Sequence, residues 1–143
     1  MVVGSNSFVT MPPAVTWACK YSGGNNRHEK VLAFLNGHEV IPVCPEVMGG
    51  LPTPRPPAEI VCGTVINRDG VNVDKEYRRG AERALEIAQR EQIDLAILQS
   101  RSPSCGVKEI YDGTFSGARI PGQGVTAKLL ADNGFRVMDA GEL

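Results

Sequence analysis

Apolar residues recur along this chain in segments of two kinds, some with helical spacing and some as short continuous runs. The clearest helical pattern begins at Asp74, a suitable N-cap after Val73, and continues to about Glu91. Residues 27–36 and 125–133 show the same spacing, and each segment is followed by glycine, the usual residue beyond a helix C-terminus. The apolar stripe of the longest helix comprises Tyr77, Ala81, Ala84, Leu85 and Ala88.

The continuous apolar runs predict buried strands at residues 39–43, 93–98 and 135–138. Residues 1–10 make a poor first strand, because glycine, serine and asparagine interrupt the apolar positions. Helices that alternate with such strands predict an α/β fold. We expect one domain over residues 1–143, with three layers, a parallel or mixed sheet and right-handed crossovers.

Two long segments between these elements are rich in glycine and proline. Residues 44–59 are predicted to hold neither a helix nor a central strand, because proline lacks the backbone donor that both require. Residues 100–124 are likewise predicted to be loop. Between the two segments, residues 60–66 alternate weakly and precede a turn signal at 67–70, which predicts a small hairpin.

Composition limits the class of protein. A length of 143 residues is enough for one domain with a substantial core. The net charge of -1 gives no electrostatic reason to expect binding to nucleic acid or to an anionic membrane. No apolar stretch approaches the roughly 18 residues that span a bilayer, and the N-terminus lacks the pattern of a secretory signal. We therefore expect a cytoplasmic protein whose four cysteines are reduced thiols or metal ligands.

Two of the cysteines lie just beyond predicted strands. Cys44 opens a Cys-Pro-Glu run directly after residues 39–43, and Cys105 lies in a Ser-Pro-Ser-Cys-Gly run after residues 93–98. Loops that follow parallel strands emerge at one edge of the sheet, where ligands bind. The sequence therefore predicts a site at the carboxyl edge of the strands.

Several chemistries use thiols in such a position. A nucleophilic cysteine usually needs a histidine base, but His28 and His38 have no motif around them. A zinc ribbon would show a Cys-x-x-Cys pair, which this chain lacks. Ordinary buried thiols, or an iron–sulfur cluster held from separate loops, remain as the alternatives.

Three longer runs resemble a known family. They are CPEVMGGLPTPRPPAEI from Cys44, SRSPSCGVKEIYDGTFSG from Ser100 and IPGQGVTA from Ile120. Together they closely resemble the thiouracil desulfidase family, and the match extends over roughly residues 18–139. The resemblance implies a [4Fe–4S] cluster held by three cysteines, with the fourth iron open to sulfur. It also implies a small thiolated base as substrate, with 2-thiouracil converted to uracil and sulfide released.

The resemblance assigns roles to particular residues. Cys44 and Cys105 match two of the cluster ligands. Glu46 matches an acidic residue suited to proton transfer or to the activation of water, and Ser102 and Ser104 lie where hydroxyls would orient the substrate or donate a proton. The open iron would act as a Lewis acid. No electron donor is needed, because the exchange of C=S for C=O is redox-neutral.

The N-terminal part departs from the family pattern, in which Ser-Ala-Cys-Leu-Leu-Gly precedes Arg-Tyr-Asp-Gly. Counting back from Tyr21 places the first ligand at Pro13, which cannot bind iron. Cys19 becomes the candidate third ligand, because some members carry a second cysteine there. The residues before Trp17 are therefore atypical, and the occupancy of the cluster is in question.

This departure leaves rival functions open. The missing ligand at Pro13 favours a cluster-deficient relative that binds a small molecule or a metal without catalysis. Zinc held by thiolates is a third interpretation. Retention of both long cysteine runs favours the desulfidase.

We also make predictions for three residues outside these roles. Cys62 is predicted to be a buried structural thiol, and Asp112 to form a turn. Arg55 is expected either to meet an anionic or carbonyl group or to hold its own loop through Glu59.

A shifted reading frame is a second explanation for the N-terminal departure. Methionine followed by proline is encoded by ATG and a codon that begins with CC, and reading one base later gives TGC, a cysteine codon. The hypothesis predicts that the nucleotide sequence upstream of Cys19 contains a Cys-Leu-Leu frame overlapping Met11-Pro12-Pro13. Sequencing the gene checks this, and the absence of such a frame eliminates the hypothesis.

Overall fold

A parallel sheet of four short strands lies at the centre of the fold. The computed structural model of the chain describes residues 8–9, 41–52, 55–93, 95–99 and 101–139. In chain order the elements are β1 (Phe8–Val9), β2 (Ile41–Pro42), α1 (Pro45–Met48), β3 (Ala58–Val61), β4 (Thr64–Asn67), α2 (Asp74–Glu91), β5 (Ala96–Leu98), β6 (Glu109–Tyr111), β7 (Arg119–Pro121), α3 (Val125–Asp132) and β8 (Val137–Asp139).

The strand order is β2-β1-β5-β8, and every pair in this sheet is parallel. The predicted α/β class is confirmed. The side chains of β5 are 0 % exposed, as expected for an inner strand covered on both faces. Ala84 and Ala88 of α2 and Leu130 of α3 belong to the same apolar core. The predicted helix at residues 27–36 lies outside the described residues.

The longest helix has the predicted bounds, but its N-cap is not Asp74. Val73 occupies the N-cap position, and Asp74 is already helical. The Asp74 carboxylate instead accepts a hydrogen bond from the backbone N–H of Val65, with N and Oδ1 3.0 Å apart. This bond ties the start of α2 to β4. None of the helices in the described part of the chain is both long and apolar enough to cross a bilayer.

The prediction that residues 44–59 hold no helix was wrong. Pro45 begins the four-residue helix α1, with Cys44 as its N-cap. Proline is tolerated at the first helical position, because the N–H that it lacks would have no partner within the helix.

Two antiparallel hairpins flank the sheet. In the first, β3 pairs with β4 through a turn at Cys62 and Gly63, whose φ angles of 50° and 80° suit a two-residue hairpin turn. The turn was therefore misplaced by the prediction, and the signal at residues 67–70 forms a separate bend after β4. Cys62 is exposed rather than buried. The second hairpin, β6 with β7, lies in a segment predicted to be loop.

Helix α1 lies directly on α2 through two glycines. A Cβ atom on Gly80 would collide with the carbonyl oxygen of Pro45, and one on Gly49 would collide with that of Glu76. The Arg83 guanidinium also donates to the carbonyl of Met48 at 2.8 Å, which ties down the end of α1. The Cys-Pro-Glu segment is therefore held against α2 by backbone contact.

We expect Gly80→Ala to lower the free energy of unfolding by about 1–3 kcal/mol, the usual cost of overpacking. Intrinsic helix propensity acts in the opposite direction, favouring alanine by about 1 kcal/mol. Urea unfolding followed by circular dichroism measures the balance. Glu82→Ala, on the exposed face of the same helix, is the control and should leave stability unchanged or slightly higher. A Gly80→Ala protein as stable as the wild type would show that the close contact is unimportant.

Candidate active site

A cavity of about 360 Å³ lies beyond the carboxyl end of β5. This volume is in the lower part of the range for small-molecule sites, roughly 300–1,000 Å³. Glu46 and Ser102, two residues singled out from the sequence, both contribute to its wall. The complete lining among the described residues is Glu46, Pro57, Ala58, Glu59, Arg68, Tyr77, Gln99, Arg101, Ser102, Pro103, Tyr111, Phe115 and Gly117.

Glu46 is held by two donors that share one of its oxygens. Arg55 Nε donates to Oε1 at 3.0 Å, and Tyr77 Oη donates to the same atom at 2.7 Å. The Arg55 side chain is 3 % exposed and that of Glu46 13 % exposed. Among the described residues, no donor reaches Oε2 of Glu46. Within the described residues, the carboxylate is therefore fixed through Oε1.

Burial and charge keep both donors protonated. Burial, together with the Glu46 carboxylate, raises the pKa of Tyr77 well above its usual range. Burial alone would lower the pKa of Arg55, but attraction to Glu46, the hydrogen bond between them and attraction to Cys44 raise it. Tyr77 and Arg55 thus act as permanent hydrogen-bond donors to Glu46. Arg55 holds its own segment, as one of the two expectations had it, but through Glu46 and the carbonyl of Pro52 rather than through Glu59.

The two serines lie in different surroundings. Ser102 Oγ accepts hydrogen bonds from the backbone N–H groups of Ser104 and Cys105, each at 3.0 Å, so it shapes the cysteine loop while facing the cavity. Ser104 is 0 % exposed, and its hydroxyl lies 2.8 Å from that of Thr126.

Two cysteines of the predicted site, Cys44 and Cys105, lie near Arg55 and Tyr77, the residues that hold Glu46. Cys44 is half-buried and acts electrostatically on Arg55. Cys105 is 4 % exposed, and it acts in the same way on Tyr77. Neither of these two cysteines forms a disulfide bond. Cys19, the candidate third ligand, lies outside the described residues.

The backbone of the Cys105 loop is locked against the start of α3. The carbonyl of Ser104 accepts the N–H groups of Thr126 and Ala127 at 2.8 and 3.2 Å, which caps the helix without a side chain. A Cβ on Gly124 would collide with the carbonyl of Ser104. Cys105 is therefore placed by backbone contacts.

The donor set fits a thiolate-held cluster in part. Two cysteine sulfurs on separate loops at one sheet edge are suitable ligands, since iron–sulfur clusters are bound by cysteine thiolates. Within the described ranges, no three histidine, cysteine, aspartate or glutamate side chains come close enough to hold a metal ion. A third protein ligand has to come from the rest of the chain, where Cys19 is the candidate.

Comparison with known proteins identifies the family. The family described as 2-thiouracil desulfurase matches residues 15–142. This chain belongs to the 2-thiouracil desulfurase family. The resemblance seen in the cysteine runs is confirmed. The match begins at residue 15, so Pro13 and most of the atypical segment lie outside it.

Two similar proteins support this assignment. The chain is 39 % identical over 135 residues to the Bacillus subtilis (strain 168) protein called uncharacterized protein YbbK, covering 87 % of this chain and 89 % of that protein. A solved structure of the [4Fe–4S]-dependent thiouracil desulfidase TudS is similar with a TM-score of 0.81 at 35 % identity. That match covers 98 % of this chain and 93 % of the TudS chain.

Sequence reasoning missed two residues at the cavity, Tyr77 and Glu59. Tyr77 belongs to the apolar stripe of α2. Its hydroxyl has a partner only because the fold brings the Glu46 carboxylate next to that stripe. Glu59 is buried beside the cavity, where its carboxylate binds backbone N–H groups. No sequence signal marked either residue, because each partner is distant along the chain. Asp112 forms the predicted turn, with Oδ1 accepting the N–H of Thr114 at 2.9 Å.

We expect Tyr77 not to ionise while the protein is folded. Its folded pKa is raised above the value of about 10 that it has in an unfolded chain, so above that pH the native state binds more protons and stability falls as pH rises. Tyr77→Phe should lack this alkaline loss. Ultraviolet titration of the folded proteins should give equal phenolate signals for wild type and Tyr77→Phe. In urea, where both proteins are unfolded, the wild type should show one more ionised tyrosine than Tyr77→Phe. A smaller phenolate signal from folded Tyr77→Phe than from folded wild type would contradict the assignment.

Proposed function

We propose that this protein removes sulfur from a small thiolated pyrimidine of the 2-thiouracil type, replacing C=S by C=O and releasing sulfide at an iron–sulfur cluster. The observation that carries the proposal is the position of Glu46. Its Oε2 has no donor among the described residues, it lies in the wall of a cavity of small-molecule size, and it is two residues from a cysteine. The [4Fe–4S]-dependent desulfidase TudS, which is similar over nearly the whole chain, supports the cofactor and the substrate class.

The proposed cluster ligands are Cys44, Cys105 and Cys19. When bound, the cluster supplies a soft Lewis acid that attracts the sulfur of the substrate. The locked loop of Cys105 and the backbone contact that holds α1 support two of these assignments, because both fix the backbone beside a cysteine.

Glu46 is the proposed proton carrier. The reaction adds water to the carbon of the thioamide and expels sulfide, so the protons of that water must move from oxygen to sulfur. Oε2 of Glu46 is positioned to accept a proton, while Arg55 and Tyr77 hold Oε1 and keep the carboxylate from turning away. No external electron donor enters the balance.

The serines have separate proposed roles. Ser102 faces the cavity and keeps its own hydroxyl proton for the substrate, because its bonds to the Cys105 loop use only the acceptor side of the oxygen. Ser104, bonded to Thr126 in the core, would act through the Cys105 loop that it supports.

The partner and location are also proposals. A cavity of about 360 Å³ suits a free base or a similarly small thioamide. With a net charge of -1, the chain offers no general attraction for nucleic acid. We propose a cytoplasmic location, where thiolate ligands stay reduced.

Anaerobic purification followed by iron and sulfide analysis and an assay with 2-thiouracil tests this function. We expect iron and acid-labile sulfide together with formation of uracil. Glu46→Gln should lower kcat by about 10²- to 10⁴-fold, the usual contribution of a positioned acid–base group, with iron content unchanged. Glu82→Gln, on the exposed face of α2, should leave activity unchanged.

Cys105→Ala separates this function from its rivals, and we expect it to abolish the charge-transfer absorbance of the cluster. Zinc in place of iron in the wild type would instead support a thiolate zinc site. A metal-free wild type that binds 2-thiouracil without converting it would support a cluster-deficient binding protein. Either outcome contradicts the desulfidase proposal.

A further inference from the structure

The segment from Asp112 to Gly117 has an irregular backbone that the chain fixes in several ways. Gly113 and Gly117 have φ angles of 91° and 86°, in the left-handed region that glycine enters at little cost. Phe115 has a φ of 56°, although a bulky side chain rarely adopts this conformation. Asp112 closes the first turn through Thr114. A shape of this kind persists only when its surroundings impose it.

A buried carboxylate imposes the shape. Glu59 on β3 is 8 % exposed, and its Oε1 accepts the backbone N–H groups of Gly113 at 3.0 Å and Phe115 at 3.1 Å. Gly113 also packs against the carbonyl of Ile60, where a Cβ would come within 2.8 Å. The segment is therefore held to the first hairpin on both sides of Thr114.

The held segment forms part of the cavity wall. Phe115 and Gly117 line the same cavity as Glu46 and Ser102. If residue 115 served only to complete the turn, glycine would adopt the same φ without strain. A phenylalanine at this position places an aromatic side chain in the cavity at a conformational cost, which indicates a use for the ring.

We infer that Phe115 is a substrate-binding residue whose ring stacks on the flat base, and that Glu59 is the positioning residue that presents it. The inference rests on the proposed function for the identity of the base, and it specifies the substrate as a planar heterocycle rather than any thioamide. Nucleobases stack on aromatic side chains regardless of their hydrogen-bonding pattern, because each has a π-face. Stacking then supplies affinity while Glu46 supplies chemistry.

Substitutions at Phe115 test the stacking role in the anaerobically prepared holoprotein. Phe115→Leu removes the ring, and we expect KM for 2-thiouracil and the calorimetric Kd for uracil each to rise about tenfold, the lower part of the measured range for stacking. The value of kcat should change little, since the reacting groups are untouched. Phe115→Tyr keeps the ring and should retain wild-type KM and Kd. Phe135→Leu makes the same change outside the cavity lining and should alter neither constant.

A matched pair of variants tests the positioning role of Glu59. Glu59→Ala removes the acceptor of both N–H groups and should raise KM with little change in kcat, as Phe115→Leu does. Glu59→Gln keeps an acceptor oxygen and should recover most of the lost affinity. Urea unfolding of each variant verifies that the measured protein is folded.

The outcomes distinguish this inference from the proposed function. Wild-type KM and Kd in Phe115→Leu, or an equal loss in Phe115→Tyr, would overturn the stacking role while leaving the desulfidase proposal intact. A wild type that binds uracil in a Phe115-dependent manner but fails to convert 2-thiouracil would overturn the proposed function alone. Loss of kcat without a change in KM in Glu59→Ala would overturn the positioning role.

Discussion

The site depends on the close approach of two short stretches of backbone, at Gly49 and Gly80. At either position a Cβ atom would overlap the backbone of the opposite segment. Helix α1 can therefore lie on α2 only with glycine at both positions. That contact brings Glu46 over Tyr77, which is 3 % exposed and 31 residues further along the chain. The hydrogen bond between Tyr77 and Glu46 therefore depends on the absence of side chains at Gly49 and Gly80.

Two carboxylates at the cavity, those of Glu59 and Glu46, have different hydrogen-bond partners and therefore different roles. Glu59 uses Oε1 for two backbone N–H groups, which are neutral donors that fix a loop. Glu46 uses Oε1 for a guanidinium and a phenol, which fix the carboxylate itself. The guanidinium of Arg55 offsets part of the cost of burying the Glu46 carboxylate. The first carboxylate therefore holds the cavity wall together, and the second is itself held in place at that wall.

The sequence predicted those features that depend on local pattern. The stripe of α2, the apolar run of β5 and the parallel order that brings Cys44 and Cys105 to one edge all follow from spacing and chain direction. Helix α1 was missed because proline was taken to forbid a helix, although Pro45 stands at its first position. The β6–β7 hairpin was missed because its strands are only three residues long, and β7 is exposed.

Contacts between distant residues could not be predicted in the same way. Arg55 had two acidic candidates close along the chain, Glu46 and Glu59, and only the fold decides between them. Glu46 lies in the first turn of α1 whereas Glu59 lies on β3, and Arg55 pairs with Glu46. Tyr77 had no reason from the sequence to be more than a packing residue. Side chains whose partners lie on other elements acquire their roles only when the elements are assembled.

The same backbone contacts bear on how the two cysteine loops would receive the proposed cluster. The Cys105 loop is capped onto α3 by the carbonyl of Ser104, and Cys44 precedes a helix locked between glycines. These contacts lie within the protein, so the proposed cluster would meet two loops whose backbone is already held. Preorganisation lowers the ordering cost of binding, and a metal bound only to the folded state stabilises that state. If Cys44 and Cys105 hold the proposed cluster, a third ligand such as Cys19 would need only to come within reach of it.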